Sequence, residues 1–288
     1  MTDHLQAEER SYPGGFERRA YDPDHVRPRK TSFSFPLDIP KHYVGNSPFK
    51  SALMNGLHLF LPPFERMMVR LFHNEILPKI KDAKLVEQGR GFMHQEGVHS
   101  RAHGLYLRNL RAQGYDIDGF CKLLEKILGP DFEGTLTPKL ALSFLAAFEH
   151  YTDVMVLLFL QSDFLEGCDP RIRDLLRWHA AEEVEHNAVA YEMLRAIDDG
   201  YGLRMAGSVL GLTTFLGLVL SGAALLLHQD GELFTRRTGR EFMELFVTKH
   251  RFAVGLTRLF VHYARPSYHP NDVDYGPLAA EVVAPLPS

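Results

Sequence analysis

Cysteine is nearly missing from this chain of 288 residues: Cys121 and Cys168 are the whole complement. Two unpatterned thiols cannot build a disulfide framework or a cysteine-metal cluster. A reducing, cytoplasmic setting is therefore expected, with the inner face of a membrane as an associated location. A basic excess is lacking too. The formal net charge is -4, which argues against a dedicated nucleic-acid binder. The opening stretch MTDHLQAEERSYPGG has no apolar core behind a basic start, so no secretory signal is expected. Runs of alternating Val, Ile and Thr are absent, which leaves little from which to build a sheet. There is neither a Gly-rich dinucleotide loop nor a cysteine cluster, so redox chemistry would need an external electron donor.

What the chain does have is enough apolar material for one sizeable core, 45% hydrophobic against 24% charged residues. Residues 1–45 are polar, rich in Pro and Arg, and read as an extended arm that wraps a domain or stays mobile. From Ser47 onward apolar residues recur at three and four positions, the helical period. Pro62-Pro63 can open a helix running to about Leu77, because proline is tolerated in a first turn. A second helix is expected from about Asp82 to the Gly114 stop, and a short one near 119–128 before Gly129-Pro130. Thr137-Pro138 and Asp169-Pro170 each make an N-cap and first-turn pair, for a third long helix to about Leu165 and a fourth to about Gly200.

Residues 205–227 carry no charge and are long enough to span a hydrocarbon layer of about 30 Å. Membrane contact and a fifth helix packed on the bundle both fit that segment, and its glycines 207, 211, 217 and 222 suit close packing in either setting. An amphipathic helix at about Arg240–Tyr263 follows. Three regions result: an arm (1–45), a helical bundle (46–200), and the apolar and amphipathic helices packed on bundle or membrane (201–288).

Charged and imidazole residues lie on the apolar stripes of four of these helices, where a lone carboxylate is costly unless paired or metal-bound. Glu65 lines up with Met68, Val69, Phe72 and Ile76; Phe92, Glu96, His99 and His103 share a face in the run GFMHQEGVHSRAH. Glu149 stands in line with Leu142, Leu145 and Val156, and Leu176, His179, Glu183 and His186 form the face of RWHAAEEVEH. In chain order this is one unit used twice, a single Glu and then Glu-x-x-His, with 31 residues from Glu65 to Glu96 and 34 from Glu149 to Glu183. Ferritin-like di-iron and di-manganese bundles arrange their ligands in this way. The expected fold is therefore all-α, a ferritin-like four-helix bundle with added C-terminal helices, one strongly apolar.

The expected ligands of two metal ions, iron or alternatively manganese or zinc, are Glu65, Glu96, His99, Glu149, Glu183 and His186. Glu96 and Glu183 would bridge, Glu65 and Glu149 would be terminal, and His99 and His186 would give one nitrogen per ion. His103 and His179, one turn away, are extra-ligand or supporting candidates, with a hydrogen-bonded core histidine as the plain alternative. Glu182 and Glu185 point off the stripe and read as solvent-facing, while His73, His94, His150 and Asp153 read as surface or supporting residues.

PFERMMVRLF, GFMHQEGVHSRAH with its QE-x-x-H-x-x-x-H pattern, WHAAEEVEH and YARPSYHPND together resemble the bacterial proteins described as predicted metal-dependent hydrolases, which look ferritin-like. The resemblance covers roughly residues 48–275, and departs where the family usually has Gly before the first glutamate and this chain has Phe64. Hydrolysis is what the resemblance implies; no spacing demonstrates it.

Two functions stand open. A di-iron oxidoreductase would activate O₂ toward a small apolar substrate, a lipid or fatty-acyl compound among them, with 205–227 as entry wall or membrane dock. A two-metal hydrolase would attack an ester or phosphate. A glutamate-rich site with one histidine per metal favours the first, because hydrolytic sites more often recruit Asp and several His. Iron storage fits less well, since storage cages favour compact four-helix subunits without a long apolar fifth segment. A homodimer is a further expectation.

Overall fold

The computed structural model describes residues 26, 29, 31–130 and 135–283, with the side chains of His186, Asn187 and Val283 outside the description. Helix starts follow the capping chemistry. Ser47 accepts from the Lys50 amide and opens α1 (Pro48–Leu71), and Asp82 accepts from Lys84 and Leu85 at the head of α2 (Ala83–Ala112). A short α3 (Asp118–Ile127) leads to α4 (Pro138–Met155), capped by Thr137, and α5 (Pro170–Ile197), capped by Asp169. The apolar α6 spans Tyr201–Gln229. α7 (Arg236–Met243), α8 (Phe252–Tyr263) and α9 (Gly276–Val283) complete the series. Among the described residues there is no strand, only an isolated bridge between Val44 and Cys168, so the protein is all-α.

Three features differ from the expectation. Pro62 and Pro63 lie inside α1 rather than at its start. Their missing N–H groups cannot serve the carbonyls one turn back, but the segment before them is buried on nearly every side and stays helical through tertiary packing. Ser100 donates to the Pro62 carbonyl from α2 at 2.9 Å. The stretch expected as one helix at Arg240–Tyr263 breaks where Arg251 takes a left-handed φ of 51°, a conformation that ends α-helical geometry. Finally, α9 was not anticipated. Its Ala279 and Val282, with Tyr275 just before it, pack on Val156, just past the end of α4, and on Ala181 and Val184 of α5.

The arm engages the bundle in its described part. Phe35, Ile39, Tyr43 and Val44 are buried. The Asn109 and Gln113 side chains donate to the carbonyls of Phe35 and Ile39 at 3.0 and 2.9 Å. The Asp169 amide donates to the Tyr43 carbonyl at 2.9 Å, tying the arm to the start of α5.

α1 packs on α2, α2 on α5 and α5 on α4, while α6 packs along both α1 and α4 and fills the groove between them. Two helical segments are long and apolar enough to cross a membrane by length and composition. One is Pro138–Leu160, 94% buried in its most apolar window; the other is α6, 33% buried. α6 is thus docked along one side and exposed along the other. Docking depends on small residues. A Cβ on Gly56 would stand 2.3 Å from the Val219 carbonyl oxygen, and one on Gly207 would stand 2.1 Å from the Ser143 hydroxyl oxygen and 2.4 Å from the Ser143 carbonyl carbon. Around these contacts Ser143 donates to the Leu203 carbonyl at 2.8 Å, and the Tyr151 and Ser208 hydroxyls meet at 2.7 Å.

Gly207→Ala should therefore lower stability by about 1–3 kcal/mol through overpacking. Gly217→Ala on the open side of the same helix, where nothing lies within 4 Å, should be neutral or raise it by up to about 1 kcal/mol through helix propensity. Denaturant unfolding of both variants checks this. Equal effects would mean that α6 is not docked as described.

Candidate metal centre

Continuing α1 through its two prolines brings Glu65 onto the inner face of the bundle, opposite the face of α2 that carries Glu96, His99 and His103. α5 presents His179 and Glu183, one turn apart, to the same space. All six are buried, none more than 4% exposed. Two overlapping groups have ligand atoms within 4.8 Å of one another: Glu65, His99 and His179, and Glu96, His99 and Glu183. His99 Nδ1 lies 3.6 Å from Glu96 and 3.8 Å from Glu183, and His179 Nε2 lies 3.7 Å from Glu65. Donors on one ion at about 2.1 Å can stand up to about 4.2 Å apart, so these separations suit a shared cation. Neither oxygen of Glu65 has a hydrogen-bond partner. An ionised carboxylate so placed is strongly unfavourable without a compensating positive charge.

Each imidazole is held from behind. His99 Nε2 pairs with Glu182 at 3.0 Å, which directs Nδ1 toward Glu96 and Glu183. Carboxylate–histidine–metal arrangements fix tautomer and ring orientation in this way. Glu182 in turn takes Arg29 of the arm at 3.1 Å; Arg29 also pairs with Glu185, and Gln95 donates to Glu185 at 3.0 Å. His179 Nδ1 meets His103 Nε2 at 2.7 Å, and His103 Nδ1 meets His58 Nδ1 at 2.6 Å. His179 Nε2 contacts Glu183 directly at 2.6 Å. The Trp178 ring stands edge-on to His99, and Phe33 of the arm packs on Trp178.

The electrostatics divide the cluster. Burial, then the neighbouring Glu96, pushes the Glu65 carboxyl well above its ordinary range. Burial opposes a charged His99, but Glu182 and Glu96 outweigh it and hold the ring protonated well above the usual histidine range. That proton occupies the same negative field a metal would. Burial also acts against Glu182, yet His99 and Arg29 keep it ionised. His58 is driven down to about 3, first by burial and then by His179, and is a neutral ring at neutral pH. Burial and the surrounding histidines likewise keep His103 neutral.

Of the residues expected from sequence, Glu65, Glu96, His99 and Glu183 come together, and His179 joins them as a full member. His103 stands behind His179. Glu149 is buried on α4 but belongs to neither group of ligand atoms. The His186 side chain lies outside the described residues. Glu182 and Glu185 are not solvent-facing: Glu182 is 1% exposed and the Glu185 side chain 8%. They turn toward α2 and the arm, where Arg29 compensates them. His150 is likewise a core residue, bonded to the Leu259 carbonyl and the Tyr268 hydroxyl with Asp153 nearby, whereas His73 and His94 are exposed as expected. His58 was missed because the prolines hid that α1 extends back to it; its seven-residue spacing from Glu65 was the available signal. Arg29 carried no periodic signal at all.

The buried Glu182–His99 pair should be a large stability term. Glu182→Ala should cost about 3–5 kcal/mol in metal-chelated protein, because it strands a protonated imidazole. Arg29→Ala should cost less, about 1–3 kcal/mol, since its side chain is 25% exposed and His99 still pairs with Glu182. Urea unfolding of both variants gives the comparison, and equal costs would remove His99 as the reason Glu182 is buried.

No curated protein and no solved structure matches the chain. A family model described as predicted metal-dependent hydrolase matches residues 27–274, a span that takes in Arg29 and every residue of the cluster. With a buried glutamate–histidine cluster inside the matched span, the chain belongs to the family of predicted metal-dependent hydrolases.

Proposed function

We propose that the protein is a metal-dependent hydrolase of an ester or phosphate ester, with its metal held by Glu65, Glu96, His99, His179 and Glu183. The observation that carries this reading is the position of His179. The sequence pattern suggested one imidazole per metal, which favoured ferrous iron and O₂. With His179 beside His99 and Glu65, the donors include two imidazoles and a carboxylate on one ion, a set used by hydrolytic zinc sites that keep an open position. The family description points the same way. The same donor set also serves ferrous iron in oxygenases, so the test includes oxygen. Glu149 and the undescribed His186 side chain are the proposed source of donors for a second ion.

When bound, the cation would polarise the bond to be cleaved and lower the pKa of the attacking water. The chain's own residues would do the remaining work. Glu182 keeps the His99 ring oriented with Nδ1 inward, and His103 does the same for His179 from the opposite side. Trp178, Phe33 and the apolar faces of α1 and α2 keep bulk water from the centre, which strengthens each electrostatic contact inside it. Phe64, where related chains usually have Gly, packs against Phe148 with ring centroids 4.0 Å apart and narrows the space between α1 and α4.

Protein freed of metal and reloaded anaerobically with zinc, manganese or ferrous iron should hydrolyse aryl ester or aryl phosphate substrates with at least one metal. Glu96→Ala and Glu183→Ala should lose most of the bound metal and about 100-fold or more of the activity, with helical content unchanged. Glu182→Gln should retain part of both. Absence of hydrolysis with every metal, together with rapid O₂ consumption by the ferrous form, would replace this reading with the oxidative one.

A further inference from the structure

The motif YARPSYHPND contributes nothing to the metal cluster. It lines a separate cleft of about 400 Å³ at the C-terminal end of α5, together with the first turn of α6. Along α5 the cleft begins at Tyr191, eight residues beyond Glu183, or about 12 Å. Its floor holds Arg204, 7% exposed. The guanidinium donates to the Tyr191 hydroxyl at 3.1 Å and to the Arg265 carbonyl at 2.7 Å, while Nε has no hydrogen-bond partner. Tyr201, Tyr263 and Tyr268 surround it, with ring centroids 5.2, 5.5 and 5.7 Å from the guanidinium carbon.

No carboxylate pairs with this buried cation among the described residues. Burial holds the Tyr263 and Tyr268 hydroxyls well above their ordinary range, so they are neutral and do not balance it. Of the acids lining the cleft, Asp198 is engaged by Lys139 at 2.7 Å and accepts the Gly200 amide at 3.0 Å, and Asp199 is exposed. His269 pairs with Glu192 at 2.6 Å. The N-terminus of α6, whose cap Gly200 supplies no side-chain acceptor, adds a positive dipole end on the same side. Exposed Arg195 adds a second cation at the rim.

We propose that this cleft is a binding site for a small organic anion, whose carboxylate or phosphate-ester group pairs with Arg204 while its apolar body lies against Tyr191, Tyr201 and Tyr268. The volume suits a small molecule rather than a free ion. Guanidinium forks and tyrosine walls recognise a planar anion attached to an apolar ring. The site stands apart from the metal centre and does not depend on the reaction proposed there.

The test is calorimetric titration of the full chain, freed of metal so that the metal centre does not compete, with phenyl phosphate and, separately, benzoate. At least one should bind saturably and raise the thermal midpoint, and the tighter of the two identifies the anionic group. Arg204→Gln should weaken that binding about tenfold or more. If Arg204→Gln does not fold, Ser267→Asp, at an exposed position on the rim, places a competing carboxylate in the cleft and should weaken binding by a similar factor. Glu183→Ala, which removes the metal centre, should bind the anion as the wild type does. The assignment is overturned if neither anion binds, if Ser267→Asp binds like the wild type, or if binding disappears with Glu183→Ala.

Discussion

Several ionisable groups share one dry space between α1, α2 and α5, and the arrangement around them follows from the need to balance their charge. Three carboxylates and two imidazoles meet there with almost no exposure to solvent. Isolated charges in such a place would be untenable. The protein meets the constraint in layers. His99 sits between Glu96 and Glu182, Arg29 reaches in from the arm to neutralise Glu182 and Glu185, and His103 and His58 back His179 as neutral rings. Glu65, with no hydrogen bond of its own, is the place where this balance is incomplete and where a cation fits.

The same constraint explains why the arm matters. A polar, Pro- and Arg-rich segment has too little apolar surface to fold alone. Here its described part follows the end of α2, buries Phe35, Ile39 and Tyr43, and delivers Arg29 and Phe33 to the outer side of the cluster. The arm therefore supplies both the counter-charge for Glu182 and the apolar cover for Trp178. α6 solves a different problem. By filling the groove between α1 and α4 through contacts only glycine permits at 56 and 207, it seals one side of the bundle and leaves its other side apolar and exposed.

α5 carries two chemistries at different heights. Near its middle, His179, Glu182 and Glu183 face the metal cluster. Toward its C-terminal end, Tyr191 and Arg195 face the cleft closed by Arg204 and the YARPSYHPND segment. In both places a buried charge is oriented by neutral aromatic or imidazole neighbours. The two differ in sign, an excess of carboxylates in the first and an uncompensated guanidinium in the second, so they select ligands of opposite charge.

The sequence alone determined that the chain is helical, where α2, α4 and α5 begin, and that Glu65, Glu96, His99 and Glu183 face a common interior. Those features are local: caps, the 3.6-residue period and i, i+3 spacing are properties of single helices. It also carried the family resemblance that the comparison with residues 27–274 bears out. Only the tertiary structure decided that Pro62 and Pro63 continue α1, since burial of the preceding turns overrides local proline chemistry. Only the tertiary structure could make Glu182 an inward-facing partner, because the charges that compensate it lie 83 residues away in His99 and 153 residues away in Arg29. His179 became a member of the cluster for the same kind of reason: its neighbours are His99, His103 and Glu65, and no periodicity within α5 encodes distances to other helices.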